Sequence, residues 1–164
     1  MNAYKWLVEK LGKFQIVPDV PTEKDTMKVK LDPGVGKMPT RAHELDAGYD
    51  LFSPIDAVIY PDDCLTISTG VHLEVPPGFV GMIKSKSGLN VKHGILSEGV
   101  IDAGYTGSIC VKLYNHGNAA VSIAKGQKIS QLVILPILTP ELELVDSLEE
   151  TERGNGGFGS TGKF

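Results

Sequence analysis

Apolar residues recur at every second position in several short stretches, and each stretch runs into a turn signal. Val71, Leu73 and Val75 alternate with His72 and Glu74, and Pro76-Pro77-Gly78 follows. Ile109, Val111 and Leu113 alternate with Cys110, Lys112 and Tyr114, and Asn115-His116-Gly117-Asn118 follows. Successive side chains of a strand point to opposite faces, so this alternation buries one face and wets the other. Proline fixes φ, and glycine and asparagine accept the backbone angles of tight turns, so the punctuation fits the strands. A last long strand is expected from about Lys128 to Ile137. With 19 glycines and 10 prolines, the pattern predicts an all-β, jelly-roll-like β-sandwich or barrel. A chain of 164 residues is long enough to bury a real core in one such domain.

The two ends read differently. Tyr4, Leu7, Val8 and Leu11 fall at helical spacing and Gly12 can end that turn, so residues 1–26 are expected to be a short helical extension. Pro18 and Pro21 make a linker, and Met27 opens the β domain, taken as residues 27–148. Residues 149–164 are expected to be a flexible C-terminal arm, because five glycines fall among the last twelve residues with little to form a core. The extension is the one segment that suggests a protein partner.

Charge and cysteine content exclude several functions. A net charge of −4 argues against sequence-independent binding of nucleic acid. Cys64 and Cys110 form neither a CxxC motif nor a metal-ligand cluster with histidine, which suits a reducing, cytoplasmic compartment. No apolar run is long enough for a membrane span.

Chemistry is concentrated in Gly99-Val100-Ile101-Asp102-Ala103-Gly104-Tyr105-Thr106-Gly107. The glycines allow tight turning and close approach of main chain to a ligand, so the stretch is expected to be a hairpin with exposed backbone. Asp102, after two β-branched residues, could act as a general base, and Tyr105 could lay its ring on something flat. An ordinary β-turn is the alternative. In the arm, Arg153 could pair with phosphate, Phe158 could stack on a base, and Ser160, Thr161 and glycine amides could bind phosphate oxygens.

Five separated segments, in order, resemble the motifs of the homotrimeric dUTPases. They are Ala47-Gly48-Tyr49-Asp50-Leu51, Lys86-Ser87-Gly88-Leu89, Gly99 to Gly107, Gly126-Gln127-Lys128-Ile129-Ser130-Gln131-Leu132, and Arg153 to Gly162. The resemblance implies a jelly-roll homotrimer with shared active sites that converts dUTP to dUMP and pyrophosphate. That reaction limits uracil incorporation into DNA and supplies dUMP for thymidylate synthesis.

By the same resemblance, Asp102 activates the water that attacks the α-phosphorus. Tyr105 packs on the deoxyribose, and the main chain of Gly99, Val100 and Ile101 reads the uracil edge. Ser87, Gly88 and Gln131 contact phosphate, with the two amides forming an anion nest. Lys86 joins them but departs from the family's usual arginine, offering a point charge instead of a fork. Lys84 either adds charge or is solvated surface. Phe158 stacks on uracil, Arg153 meets the γ-phosphate, and Gly159, Ser160 and Thr161 close the arm. Mg2+ is expected to arrive on the triphosphate; Asp50 either touches its shell through water or braces the site. A related deaminase of dCTP and a nucleotide-sensing regulator that uses residues 1–26 are the competing functions.

Overall fold

The computed structural model describes residues 26–157. The helix expected within residues 1–26 therefore lies outside the described residues except at Thr26, as do Phe158, Gly159, Ser160 and Thr161. Among the described residues, eleven strands and one short helix follow one another: β1 (Val29–Leu31), β2 (Gly48–Phe52), β3 (Ala57–Ile59), β4 (Cys64–Ser68), β5 (Val71–Leu73), β6 (Phe79–Ser85), α1 (Ser87–His93), β7 (Ile95–Leu96), β8 (Glu98–Ile101), β9 (Cys110–Asn115), β10 (Val121–Ile123) and β11 (Lys128–Pro136). The alternating segments are strands, as their period requires. The turns also match: Gly78 sits at φ 81°, and the Phe79 amide donates to the Pro76 carbonyl at 3.2 Å.

The strands form a sandwich. One antiparallel sheet has the order β2-β11-β6-β8, another β4-β9-β7, and the ribbons β1-β5 and β3-β10 complete the layers. Leu51, Ile83 and Leu132 from the first sheet meet Ile67, Val111 and Leu113 from the second in one buried cluster. Burying such side chains contributes roughly 1.5–3 kcal/mol each, which makes this alternating set the main source of stability.

Two features depart from the sequence expectation. Helix α1 has only one buried residue, Leu89, so no amphipathic period announces it. The stretch Gly99–Gly107 does not close a hairpin either. β8 pairs with β6, whereas β9 pairs with β4 and β7. Residues 102–109 thus carry the chain from one sheet to the other. Period two shows that segments are strands but not which strands pair, since pairing is decided by distant partners.

The chain also changes sheets between β7 and β8, at the buried Ser97. There the Ser97 amide donates to the Ser85 hydroxyl at 2.9 Å, and the Ser97 and Ser130 hydroxyls lie 2.8 Å apart. Ser130 in turn donates to the Lys84 carbonyl at 2.7 Å. A strand that leaves one ladder for another strips partners from its backbone, and these hydroxyls replace them.

Leu132 is 2 % exposed and lies between Tyr49 and Ile83 in register. Leu132→Ala is expected to cost about 2–5 kcal/mol, read as a lowered denaturation midpoint.

Candidate active site

Strand β2 sends Leu51 into the core and Asp50 to the opposite face, yet Asp50 is only 4 % exposed. Two lysines cover it. Lys86 Nζ is 2.5 Å from Oδ1, and Lys128 Nζ is 2.6 Å from Oδ2. Burial pushes the Asp50 carboxyl up, but the hydrogen bonds and charges of Lys128 and Lys86 outweigh it and hold the group below the usual carboxylate range. The main chain fixes Asp50 as well, its amide donating to the Thr40 carbonyl at 2.7 Å.

Gln131 stands opposite both Asp50 and Lys84 in the ladder. Its Nε2 donates to the Ser85 carbonyl at 3.1 Å, and its side chain folds across Gly48. Any Cβ at Gly48 would strike it. The glycine of the first motif therefore makes room for the glutamine of the fourth. A register shift between Lys128 and Ser130 inserts an extra residue into β11. Without it, residues three apart would point to opposite faces; the bulge re-aims Lys128 toward the Asp50 side, which Gln131 also occupies.

Lys86 caps α1 in extended conformation, and Ser87 and Gly88 form its exposed first turn. The pair is thus the start of a short helix. The amides of a first helical turn have no intrahelical acceptor and point outward. Lys84, left open by the sequence, ion-pairs with the exposed Glu98 at 2.8 Å.

Residues 99–107 build a second half. Strand β8 is the edge of its sheet, so main-chain groups on its outer side are free for another partner. Asp102 is exposed at its end. The Tyr105 amide donates to the Asp102 carbonyl at 3.2 Å, and Gly104 holds φ 86°, which favours glycine. Tyr105 is 45 % exposed; its hydroxyl donates to the Ser108 carbonyl at 3.1 Å, and its ring covers Gly107.

His72, which the sequence did not single out, ties this turn down. Its Nδ1 is 2.8 Å from the Thr106 carbonyl oxygen and its Nε2 is 3.0 Å from Asp32 Oδ1. Both neighbours are acceptors, so the ring links the turn to the chain just after β1. The signal for His72 was weak because it looked like any outward residue of an alternating strand.

The Asp50 cluster and Asp102 draw on different stretches of β6. Gly81 pairs with Ile101 and Lys84 with Glu98, so Asp102 follows the residue opposite Gly81 while Lys86 follows the last residue of β6. Lys86 lies five positions on from Gly81, about 17 Å of extended chain. Asp50, Lys86, Ser87, Gly88, Lys128 and Gln131 are gathered in one place; Gly99, Val100, Ile101, Asp102 and Tyr105 are gathered in another. Arg153 belongs to neither half: it is exposed in a turn after the last strand, where its Nε donates to the Gly156 carbonyl at 3.0 Å.

Among the described residues, no group of three or more His, Cys, Asp or Glu side chains is placed to hold a metal. Both Asp50 oxygens are engaged by ammonium groups, which favours the bracing role over the metal-shell role for that carboxylate.

Residues 35–162 match the dUTPase family. The deoxyuridine 5'-triphosphate nucleotidohydrolase of Clostridium tetani is 45% identical over 141 residues, spanning 84% of this chain and 97% of the relative. That of Mus musculus is 46% identical over 126 residues, 76% of this chain and 78% of the relative. Among solved structures, the Staphylococcus bacteriophage 80alpha dUTPase with dUpNHpp superposes with a TM-score of 0.79 at 36% identity, over 84% of this chain and 99% of the other. A variant dUTPase from phage phi11 of S. aureus, whose structure reveals the coordination of a structural Mg(II) ion, gives 0.71 at 33% identity, over 77% and 100%.

The depressed Asp50 carboxyl has a consequence for pH. A group whose folded value lies below its unfolded value stabilises fully above the unfolded value, and that contribution is lost as pH falls through the folded one. Denaturant titrations are expected to show Asp50→Asn less stable than wild type at neutral pH, with the gap closing below about pH 4.

Proposed function

The chain belongs to the dUTPase family and hydrolyses dUTP, and from that premise we propose that Asp102 is the general base of the reaction. The observation that carries this reading is the free edge of β8 ending in an exposed carboxylate and an exposed tyrosine. The main-chain groups on the outer side of Gly99, Val100 and Ile101 suit the alternating donors and acceptors of a uracil edge. Tyr105, anchored through its hydroxyl to Ser108, presents a ring face to the deoxyribose. A ring fixed at that position leaves no space for a 2′-hydroxyl, which separates dUTP from UTP.

Asp102 takes a proton from water as the water oxygen attacks the α-phosphorus, and pyrophosphate leaves with the electrons of the broken P–O bond. Little covalent work falls to the protein, so positioning and charge stabilisation dominate. Lys86, the outward amides of Ser87 and Gly88, and Gln131 supply donors to the phosphates, and Arg153 reaches the terminal one. Phe158, Gly159, Ser160 and Thr161 close over the nucleotide and exclude water. Mg2+ carried on the triphosphate neutralises phosphate charge when bound.

The separation of the halves by strand β6 supports a homotrimer. The base-reading half of one copy completes the phosphate half of another, and closed symmetry repeats that contact. A second observation points the same way. Beyond β11, Leu138, Leu142, Leu144 and Leu148 are exposed on their own chain, an apolar run that suits cover by a neighbour. Cys64 and Cys110 are both free, in keeping with a reducing, cytoplasmic setting.

Asp102→Asn is expected to slow pyrophosphate release from dUTP by about 10²-fold or more while dUpNHpp still binds; equal turnover would remove the proposed base. Tyr105→Ala is expected to narrow the preference for dUTP over UTP in the same assay. Deleting residues 153–164 is expected to lower kcat with the β-sandwich intact by circular dichroism.

A further inference from the structure

Strand β5 sends Val71 and Leu73 into the core and turns His72 outward, opposite Lys30 in the ladder. The imidazole is nevertheless largely covered, with 17% of the side chain exposed. A carbonyl oxygen only accepts, so Nδ1 donates to Thr106 at 2.8 Å. Nε2 lies 3.0 Å from Asp32 Oδ1. Asp32 is itself fixed: its amide donates to the Gly70 carbonyl at 2.8 Å, and its carbonyl accepts from the Gly36 amide at 2.9 Å. A Cβ at Gly36 would strike that Gly70 carbonyl, so the loop after β1 packs tightly on the β4–β5 connection.

Tyr105 stands between two anchors on this framework. On one side its hydroxyl donates to the Ser108 carbonyl, and the Ser108 hydroxyl is tied to Ser68 Oγ at 2.8 Å and to the Gly70 amide at 3.1 Å. On the other side is Thr106, whose carbonyl, among the described residues, is held by His72 alone. Tyr105 and Thr106 are flanked by Gly104 and Gly107. Glycine is the most permissive residue for backbone rotation, so this pair has a hinge at each end unless something pins it. The half-exposed ring rests on Gly107, where any Cβ would strike it. Bonds at its two ends, more than side-chain packing, therefore fix where it stands.

We propose that His72 is a positioning residue for sugar selection: braced by Asp32, it sets the Thr106 carbonyl and with it the backbone that presents the Tyr105 ring. The proposal rests on the reading that Tyr105 packs on the deoxyribose of dUTP. A pocket rejects an added hydroxyl only weakly unless its wall resists displacement. With Thr106 held, the ring stays where a 2′-hydroxyl collides with it; with Thr106 released, the two glycines let it swing aside.

The test is steady-state turnover of dUTP and of UTP by the full chain, with thermal unfolding recorded for each variant. His72→Ala is expected to narrow the ratio of kcat/KM for dUTP over UTP by about tenfold, the effect of one lost hydrogen bond. Two further variants separate the contacts. The amide nitrogen of asparagine falls near the place of Nδ1 and that of glutamine near the place of Nε2. His72→Asn therefore keeps a donor for Thr106, whereas His72→Gln reaches only Asp32. Rescue of the ratio by His72→Asn and not by His72→Gln is expected. A role in stability alone would lower turnover of both substrates and leave the ratio unchanged, which overturns the proposal, as does equal rescue by the two amides. Failure of the underlying reading is distinct, since Tyr105→Ala would then leave the ratio at its wild-type value. Narrowing by Tyr105→Ala without narrowing by His72→Ala rejects the role of His72 alone.

Discussion

Strand β6 is the constraint on which the rest depends. It pairs with β11 along one edge and β8 along the other, so its length fixes how far apart everything attached to its ends must lie. Lys86, Ser87 and Gly88 emerge where β6 runs into α1, and Asp102 emerges where β8 ends opposite Gly81. A hydrogen-bonded strand is stiff and cannot fold back to join them. The ladder therefore keeps the residues at the end of β8 and those after β6 from folding onto one another.

Within the phosphate half, order depends on a buried charge. Removing a carboxylate from water is costly unless paired, and a broken buried pair leaves that cost uncompensated. Asp50 meets it with two lysines drawn from different strands' ends, Lys86 after β6 and Lys128 at the start of β11. The same ion pairs that stabilise the site at neutral pH set the direction of its cations. Gly48 contributes through what it lacks, since Gln131 occupies the space of a Cβ. The base half is held more lightly, by the Tyr105–Ser108 bond and by His72 between Thr106 and Asp32.

Much of the fold was legible because burial imposes a period. Val71 to Leu73, Cys110 to Asn115 and Lys128 to Pro136 are strands within a residue or two of where alternation placed them. Helix α1 was not legible, since one buried leucine in seven residues makes no pattern. Asp102 and Tyr105 stood out as chemistry in a glycine-rich setting, whereas Lys128 and His72 did not. An outward lysine and an outward histidine on strands look like solvated surface until their partners, far off in sequence, are in place.

The sequence by itself determined the alternating core, the turns, and the five short motifs that mark the family, because each depends on residues close together along the chain. Only the tertiary structure decided that Gly99–Gly107 crosses between sheets, that Asp50 carries two lysines, and that β8 lies as an edge strand beside β6. Those facts depend on which strands pair and in what register. Register is set by the sum of contacts across the sandwich, and no local run of residues contains it.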